Sequence, residues 1–230
     1  NIAAAEEKSQ NLKDQFTEKI EGLQYSVDYH EGNFLITTNK DNCNNFKLMI
    51  TNINNTSIDN WKELIEYDEN IFIQGVDELK NHLLLLFKKS GSNFIKVIPY
   101  SNKQYALDQS HIIEVKEDIK SITLLNIDIY DTVDILYSYN TLNNPTTLYK
   151  YNIITKQTTF LIQKEVPLFD TNLYETKRIF ATSHNQKQVP ISIVYKKKLF
   201  KSDGSNPLYL YGYGSYGHTV YPHFDSTILP

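Results

Sequence analysis

The residues best suited to chemistry lie in the stretch Asn206–Gly217, which reads NPLYLYGYGSYG. Glycines let a backbone adopt positive φ and approach a ligand closely, and tyrosine hydroxyls are donors carried on rigid rings. The apolar run Leu208–Tyr211 leads directly into this turn. The pattern therefore predicts a strand followed by a turn that places phenolic hydroxyls around a reacting group.

Two other functions match parts of this turn, but neither pattern is complete. Gly212–Gly217 satisfies the dinucleotide-binding pattern G-x-G-x-x-G, which also requires a following helix and an acidic residue about 20 positions later. The segment His218–Pro222 is a poor helix start, and no such acidic residue follows. Ser215 fails the nucleophile-elbow pattern G-x-S-x-G because Tyr213 stands where glycine is needed. Nucleotide binding and a nucleophilic Ser215 are therefore disfavoured.

A purely structural role is an open alternative for the tyrosines of this turn. Tyrosine packs well on strands and in cores through its ring, so a tyrosine-rich turn can be explained without catalysis. From the residues alone, packing is at least as well supported as chemistry for Tyr209, Tyr211, Tyr213 and Tyr216.

The rest of the sequence shows no metal or cofactor pattern. The six histidines have no recognisable catalytic or metal-binding spacing, and the carboxylates form no distinctive pair. The single cysteine, Cys43, lies in the polar stretch Asp41–Asn45 and is predicted to be a bystander thiol. We therefore expect no cofactor and no bound metal.

Charge and hydropathy argue against several classes of partner. A net charge of −4 and a pI of about 5.9 give no positive field that would attract nucleic acid. No apolar run approaches the ~18 residues of a membrane-spanning helix, and residues Asn1–Glu7 lack the basic and apolar regions of a signal peptide. We expect a cytoplasmic location, with neither nucleic acid nor membrane as a partner.

Most of the chain is predicted to be β-structure. The 17 tyrosines and 11 phenylalanines favour pleated sheets over helical bundles. An N-terminal segment, residues 1–22, is the exception, because apolar residues at helical spacing predict an amphipathic helix over residues 3–20.

Short strand-like runs recur between residues 23 and 164. One series begins at Asn33, His82 and Ile135, in steps of 49 and then 53 residues. Four short strands per unit are typical of a β-propeller blade, and about three units fit this region. A propeller ring usually has four to eight blades, so these units predict a partial β-propeller, with an ordinary antiparallel meander as the alternative. The predicted strands are Asn33–Thr38, Phe46–Ile50, Trp61–Ile65, Ile71–Gln74, His82–Phe87, Phe94–Ile98, Gln104–Asp108, Ser121–Leu125, Ile135–Tyr139, Leu148–Asn152 and Gln157–Leu161.

A change of composition predicts a domain boundary after residue 164. We assign residues 165–175 to a linker and residues 176–230 to the truncated start of a second domain. Within it, Lys177–Thr182 and Val189–Tyr195 alternate around the turn-forming His184–Lys187, as the two strands of a hairpin do. Leu208–Tyr211 is apolar without alternation, which predicts a strand buried on both faces of a larger sheet.

The segment Asp203–Gly217, preceded by Val189–Tyr195, resembles the junction of propeller and catalytic domain in the prolyl oligopeptidase family of serine peptidases. The oligopeptidase B (protease II) branch of that family has Tyr-Gly-Ser-Tyr-Gly at this position. Tyr25–Tyr29 and Asn44–Leu48 also resemble the propeller of that branch. The similarity extends over roughly residues 16–224.

The resemblance implies a seven-bladed propeller that caps an α/β-hydrolase domain, and an activity that cleaves short peptides after Arg or Lys. By position, Tyr213 is expected to donate its hydroxyl to the oxyanion, and Tyr216 is expected to line the substrate pocket. Such a role suits tyrosine, because a fixed donor aimed at developing charge contributes several kcal/mol to a transition state.

The nucleophilic serine, aspartate and histidine of the family's triad have no counterpart in these residues. Asp225–Pro230 also departs from the family's pattern, in which a helix begins there. We therefore expect a serine-peptidase fragment that is inactive alone, with the remainder of the peptidase as its partner and short peptides as substrates of the complete enzyme. The alternative is a non-catalytic β-propeller-like module whose open strand edges bind another chain.

Overall fold

The computed structural model of the protein describes residues 16–115 and 117–229. The fold is mainly β, with 44% strand and 7% helix, which confirms the predicted class. The helical part of the described residues consists of short 3₁₀ turns. None of the described helices is long and apolar enough to cross a membrane. The chain divides into two compact units, one reaching Lys88 and including Lys96–His111, the other made of Lys89–Ile95 and the chain from Ile112 onward.

The helix predicted over residues 3–20 falls mostly outside the described residues. Residues 16–20 are not helical. Instead Phe16 is buried, and its ring meets the ring of Phe34 edge-on at a centroid distance of 5.0 Å. Burying one large aromatic side chain against a sheet outweighs the weak helix propensity of so short a segment.

The first sheet is an antiparallel meander in the order β1-β2-β3-β4. Its strands are β1 (Tyr25–His30), β2 (Asn33–Thr38), β3 (Lys47–Asn52) and β4 (Lys62–Ile65). The turn between β1 and β2 has two residues, Glu31 and Gly32, both with positive φ, and this turn type matches the twist of paired strands. Leu35, Ile36 and Leu48 are fully buried on β2 and β3. The three strands predicted after residue 33 in this region are confirmed, with small shifts at their ends.

The second sheet has the order β5-β6-β7-β8, with β9 paired to β7. Its strands are β5 (Phe72–Leu79), β6 (His82–Lys89), β7 (Ser92–Ser101), β8 (Gln104–Tyr105) and β9 (His111–Ile112). Consecutive leucines in β6, Leu83 to Leu85, are all buried, so both faces of this strand are covered. The strand predicted over Gln104–Asp108 is shorter than expected, because a 3₁₀ turn begins at Leu107.

The third sheet is again an antiparallel meander, in the order β10-β11-β12-β13. Its strands are β10 (Ser121–Leu124), β11 (Asp134–Asn140), β12 (Thr147–Asn152) and β13 (Gln157–Gln163). Aromatic side chains fill its centre: Tyr137 is buried and stacks on Tyr149, which also meets Phe160 edge-on. All residues of β13 are exposed, so this edge of the sheet is uncovered in the described residues.

The chain after the third sheet forms one hairpin and then an irregular segment. The hairpin strands are β14 (Tyr174–Thr182) and β15 (Gln188–Lys196), and β14 begins within the linker predicted at 165–175. The predicted hairpin is confirmed, but the predicted strand Leu208–Tyr211 is not formed and its residues are exposed. A strand requires a neighbour to bond its backbone N–H and C=O groups, and no described residues pair with this run.

Candidate functional site

The hairpin that leads toward the tyrosine-rich turn is regular over its full length. β14 and β15 pair antiparallel from Tyr174 opposite Lys196 to Thr182 opposite Gln188. Its closing turn is held by Ser183, whose hydroxyl donates to the Asn185 side chain at 2.6 Å and accepts from the Lys187 backbone N–H at 3.1 Å. The hairpin is therefore a defined platform from which the later segment departs.

A closed loop connects this platform to the turn. The ring of Phe200 stacks on Tyr195 of β15 at a centroid distance of 4.2 Å. The Asn206 side chain then closes the loop, because it accepts from the Lys201 N–H at 2.7 Å and donates to the Leu199 carbonyl at 3.0 Å. Side-chain bonds of this kind replace a backbone turn where no strand pairing exists.

The turn itself bends through a short 3₁₀ segment, Ser215–Gly217. Tyr216 adopts a left-handed backbone, with φ 56° and ψ 30°, which is uncommon for a residue other than glycine. A Cβ placed on Gly212 or Gly214 would meet no described atom within 4 Å. The close approach expected at these glycines therefore involves nothing in the described part of the chain.

Tyr213 and Tyr216, the two residues singled out from the sequence, present their rings outward. Tyr213 is 52% exposed, and its ring meets the ring of His218 edge-on at 5.5 Å. Tyr216 is fully exposed. Among the described residues no protein group accepts a hydrogen bond from the Tyr213 hydroxyl, so this donor is free to serve an acceptor from elsewhere.

The turn does not contain the groups that activate a nucleophile. The backbone N–H of His218 donates to the Ser215 carbonyl at 3.0 Å, which is a turn contact and leaves the serine hydroxyl without a base. The side-chain hydrogen bonds that the hydroxyls of Ser92, Ser110, Ser183 and Ser205 donate go to carbonyl and carboxylate oxygens. The described residues also hold no group of three or more His, Cys, Asp or Glu side chains that could bind a metal ion.

Away from the tyrosine-rich turn, three half-buried carboxyl groups on β1 and β5 form a cluster of titratable side chains. Burial raises the pKa of Asp28, with a further contribution from the charge of Asp77, and burial also raises the pKa of Asp77. Burial, then the charges of Asp28 and Asp77, raise the pKa of Glu78 to about 7. The Glu78 Oε1 atom is buried without a hydrogen-bond partner. This carboxyl therefore titrates close to neutral pH.

Sequence reasoning did not find this cluster, because its members are far apart in the chain. A usable signal existed in the repeat itself. The dipeptide Val-Asp occurs at Val27–Asp28 and again at Val76–Asp77, separated by the same 49 residues as the first step of the strand series. Equivalent positions on the first strands of two successive sheets are brought close when those sheets are neighbours.

Successive antiparallel meanders of short strands define a protein of the β-propeller class. The family model for the prolyl oligopeptidase N-terminal β-propeller domain matches residues 2–164, and the chain belongs to this family. The family resemblance inferred from the sequence is thereby confirmed.

Two characterised relatives align with nearly the whole chain. It is 28% identical over 206 residues to dipeptidyl aminopeptidase BI of Pseudoxanthomonas mexicana, an alignment covering 89% of this chain and 28% of the relative. It is 29% identical over 214 residues to protease 2 of Moraxella lacunata, covering 93% of this chain and 29% of the relative. The chain thus spans less than a third of the length of these relatives.

A solved structure gives the same result for the fold. Oligopeptidase B of Trypanosoma brucei, in a closed form with covalently bound antipain, matches with a TM-score of 0.84. The match covers 92% of this chain and 30% of that chain, at 24% identity. At this identity the likeness concerns the fold alone.

Proposed function

We propose that the chain is part of a serine endopeptidase of the oligopeptidase B type, which cleaves short peptides after Arg or Lys. In this proposal Tyr213 donates a hydrogen bond to the oxyanion of the tetrahedral intermediate, and Tyr216 lines the substrate pocket. The chain by itself is inactive. Short peptides are the substrates of the complete enzyme, and the remainder of the peptidase is the partner of this chain.

One observation carries the proposal. The hydroxyl of Tyr213 is free and lies on a turn between two glycines, C-terminal to the residues that match the propeller family. Tyr213 is half exposed, and the family match ends at residue 164, before the hairpin that leads to this turn. Phenolic donors act as oxyanion-hole groups when they are held where negative charge develops. The relatives named protease 2 and oligopeptidase B support the peptidase assignment.

The proposed domain organisation follows the sheets. Residues 1–22 form an N-terminal segment, and residues 23–164 form about three blades of a seven-bladed propeller. Residues 165–175 form a linker and residues 176–230 begin an α/β-hydrolase domain. The three successive meanders support the blade assignment, since each has the four-stranded core expected of a blade.

Substitution of Tyr213 tests the oxyanion role. In an enzyme that joins this chain to a catalytic segment, Tyr213→Phe is expected to lower kcat roughly 10²- to 10³-fold with little change in KM, because the bond strengthens only in the transition state. The matched control is Tyr211→Phe, which removes the same atom two residues away and is expected to leave kcat unchanged. An unaltered kcat for Tyr213→Phe would remove this residue from the oxyanion hole.

Peptide substrates with different residues before the cleaved bond test specificity. We expect the complete enzyme to release aminomethylcoumarin from a blocked Arg-Arg substrate and not from a blocked Gly-Pro substrate. Cleavage only from a free dipeptide N-terminus would instead match the relative named dipeptidyl aminopeptidase BI. Cleavage after proline would match the relatives named prolyl endopeptidase.

The inactivity of the isolated chain follows from the missing triad. A donor without a nucleophile and a base cannot carry out acyl transfer. The purified chain is therefore expected to show no turnover of the Arg-Arg substrate above a buffer blank. Turnover that a serine-directed fluorophosphonate abolishes would contradict this expectation.

A second candidate function, a non-catalytic binding module, is favoured by exposed apolar residues. Phe160 and Ile162 on the edge strand β13 are exposed, as are Leu208 and Leu210 before the turn. Apolar patches and unpaired strand edges favour association with another chain. Sedimentation velocity distinguishes the two candidates: concentration-dependent association supports the module, whereas a stable monomer at all concentrations counts against it.

A further inference from the structure

The guanidinium of Arg178 connects the β14–β15 hairpin to the turn between β6 and β7. Its Nη2 atom donates to the Ser92 hydroxyl at 3.1 Å and to the Gly91 carbonyl at 3.4 Å. All three residues belong to the same compact unit. Arg178 is the only arginine among the 23 basic residues of the sequence, and all the others are lysines.

The β6–β7 turn is shaped to receive this side chain. Ser90 and Gly91 form a two-residue turn with positive φ at both positions, 49° and 78°. A Cβ on Gly91 would lie 2.8 Å from Arg178 Nη1 and 3.4 Å from Cγ of Pro190 on β15. Glycine is therefore required here both for the backbone conformation and for the approach of the hairpin.

Ser92 links this contact to a further segment of the chain. Its hydroxyl accepts from Arg178 and donates to the Asp118 carbonyl at 2.8 Å, so both its donor and an acceptor site are used. Ser92 is buried, with 3% of its surface exposed. Removing the guanidinium would leave a buried hydroxyl without one of its partners.

The Arg178 contact carries no ion pair. Among the described residues no carboxylate lies within ion-pair distance of the guanidinium, and its acceptors are a neutral carbonyl and a hydroxyl. Burial lowers the pKa of Arg178, although arginine keeps its charge at any physiological pH. Both hydrogen bonds come from Nη2, which the planar guanidinium holds in a fixed direction, whereas the ammonium of lysine is carried on a shorter and more flexible stem.

We propose that Arg178 is a clamp that fixes the β14–β15 hairpin to the β6–β7 turn through Ser92 and Gly91. The clamp does not depend on the proposed function. Only its consequence for catalysis does, since the hairpin leads the chain toward Tyr213.

Hydrogen–deuterium exchange of the chain tests the clamp. Arg178→Ala is expected to speed exchange of the β14 and β15 amides about tenfold, equivalent to about 1.4 kcal/mol of local opening. Arg178→Lys is expected to exchange nearly as fast as the alanine variant. Millimolar ethylguanidinium is expected to restore protection in Arg178→Ala, and ethylammonium is not. The matched control is Lys187→Ala, which removes an exposed cation in the turn of the same hairpin and should not change hairpin exchange.

A second variant covers the case in which Arg178→Ala does not fold. Ser92→Ala keeps the guanidinium and, by itself, is expected to speed hairpin exchange about threefold, because it removes one of the two acceptors of Arg178. Where Arg178→Ala does fold, this effect disappears in that background, because the two residues act through one contact. The clamp is wrong if Arg178→Ala and Lys187→Ala exchange alike, if the effects of Ser92→Ala and Arg178→Ala add, or if ethylguanidinium restores nothing. Failure of the proposed function would look different: Tyr213→Phe would keep its kcat while these exchange effects persisted.

Discussion

The first sheet, β1 to β4, and the segment after β15, residues 197–229, are organised in opposite ways. In the sheet every strand is paired, and Leu35, Ile36 and Leu48 are fully buried. In the later segment no described residue is part of a strand, and Leu208 and Leu210 are 80% and 76% exposed. The sheet therefore contributes a buried core, whereas the segment depends on side-chain turns.

The difference separates the residues that stabilise the fold from those proposed to act in chemistry. Apolar burial is the main source of stability, so the sheet contributes to folding and the segment contributes little. The exposed tyrosines of the segment are not part of a buried core in the described residues, although the Tyr213 ring meets that of His218. Their burial and positioning, in the proposed function, come from protein that lies outside this chain.

A core truncation in the first sheet is expected to have the largest effect. Leu35→Ala removes a fully buried side chain and leaves a cavity, which should lower the free energy of unfolding by roughly 2–5 kcal/mol. Urea denaturation measures this change as a lower midpoint at constant slope. A loss below about 1 kcal/mol would mean that the sheet is as loosely packed as the later segment.

Neutralising Glu78 is expected to stabilise the chain at pH 8 by on the order of 1–2 kcal/mol, a smaller effect. Its pKa is raised from 4.5 to about 7, so between these pH values the folded state holds a proton that the unfolded state has lost, and above them the folded state contains an unfavourable buried charge. The stability that this carboxyl contributes is full below pH 4.5 and is lost as pH rises to about 7. Glu78→Gln removes this loss, and urea denaturation at several pH values measures it.

The control for Glu78 is a carboxylate outside the strands. Glu66 is exposed in the loop after β4, so Glu66→Gln makes the same change of atoms without removing a buried group. At pH 4 the Glu78→Gln variant and the parent chain should be equally stable, since the carboxyl is then neutral in both the folded and unfolded states. If the free energy of unfolding fell equally steeply between pH 4.5 and 7 in the parent chain and in Glu78→Gln, the pH dependence would come from Asp28 and Asp77 and not from Glu78.

Substituting one glycine in each region compares the backbone strain of the two regions, and the expected difference in the free energy of unfolding is about 1 kcal/mol. Gly32, between β1 and β2, has φ 83°, so Gly32→Ala should cost about 1 kcal/mol through backbone strain alone, since open space surrounds its Cβ position. Gly212→Ala also meets nothing, and its φ is not in the left-handed range, so it should be neutral or slightly stabilising. Thermal unfolding measures both, and equal costs would remove the contrast between the regions.

The sequence was sufficient for the strands because their cause is local and repeated. Apolar runs recurring at steps of 49 and 53 residues predicted the meanders, and alternation around His184–Lys187 predicted the hairpin. The run Leu208–Tyr211 has the same local preference yet forms no strand. A strand is stabilised by its neighbour's backbone as much as by its own side chains, and a single run does not show whether a neighbour is present.

The candidate site was predictable only in part, for a related reason. Tyr213 was identified because the residues around it resemble a family motif, whereas its exposure and free hydroxyl follow from the irregular segment. The carboxyl cluster of Asp28, Asp77 and Glu78 depends on contacts between separate strands. The contact of Arg178 with Ser92 joins residues 86 positions apart. Such contacts leave no pattern in a short window of sequence.

The smallest effect is expected at Leu210, and it gives the sharpest comparison with Leu35. Leu210→Ala removes the same atoms as Leu35→Ala, but from an exposed side chain, so the free energy of unfolding should change by less than about 0.5 kcal/mol. The same urea titration measures both variants. A loss at Leu210 approaching that at Leu35 would mean that residues 208–211 pack as a buried strand in solution, as their apolar sequence first suggested. An unchanged midpoint would leave this leucine available for a surface that another polypeptide covers.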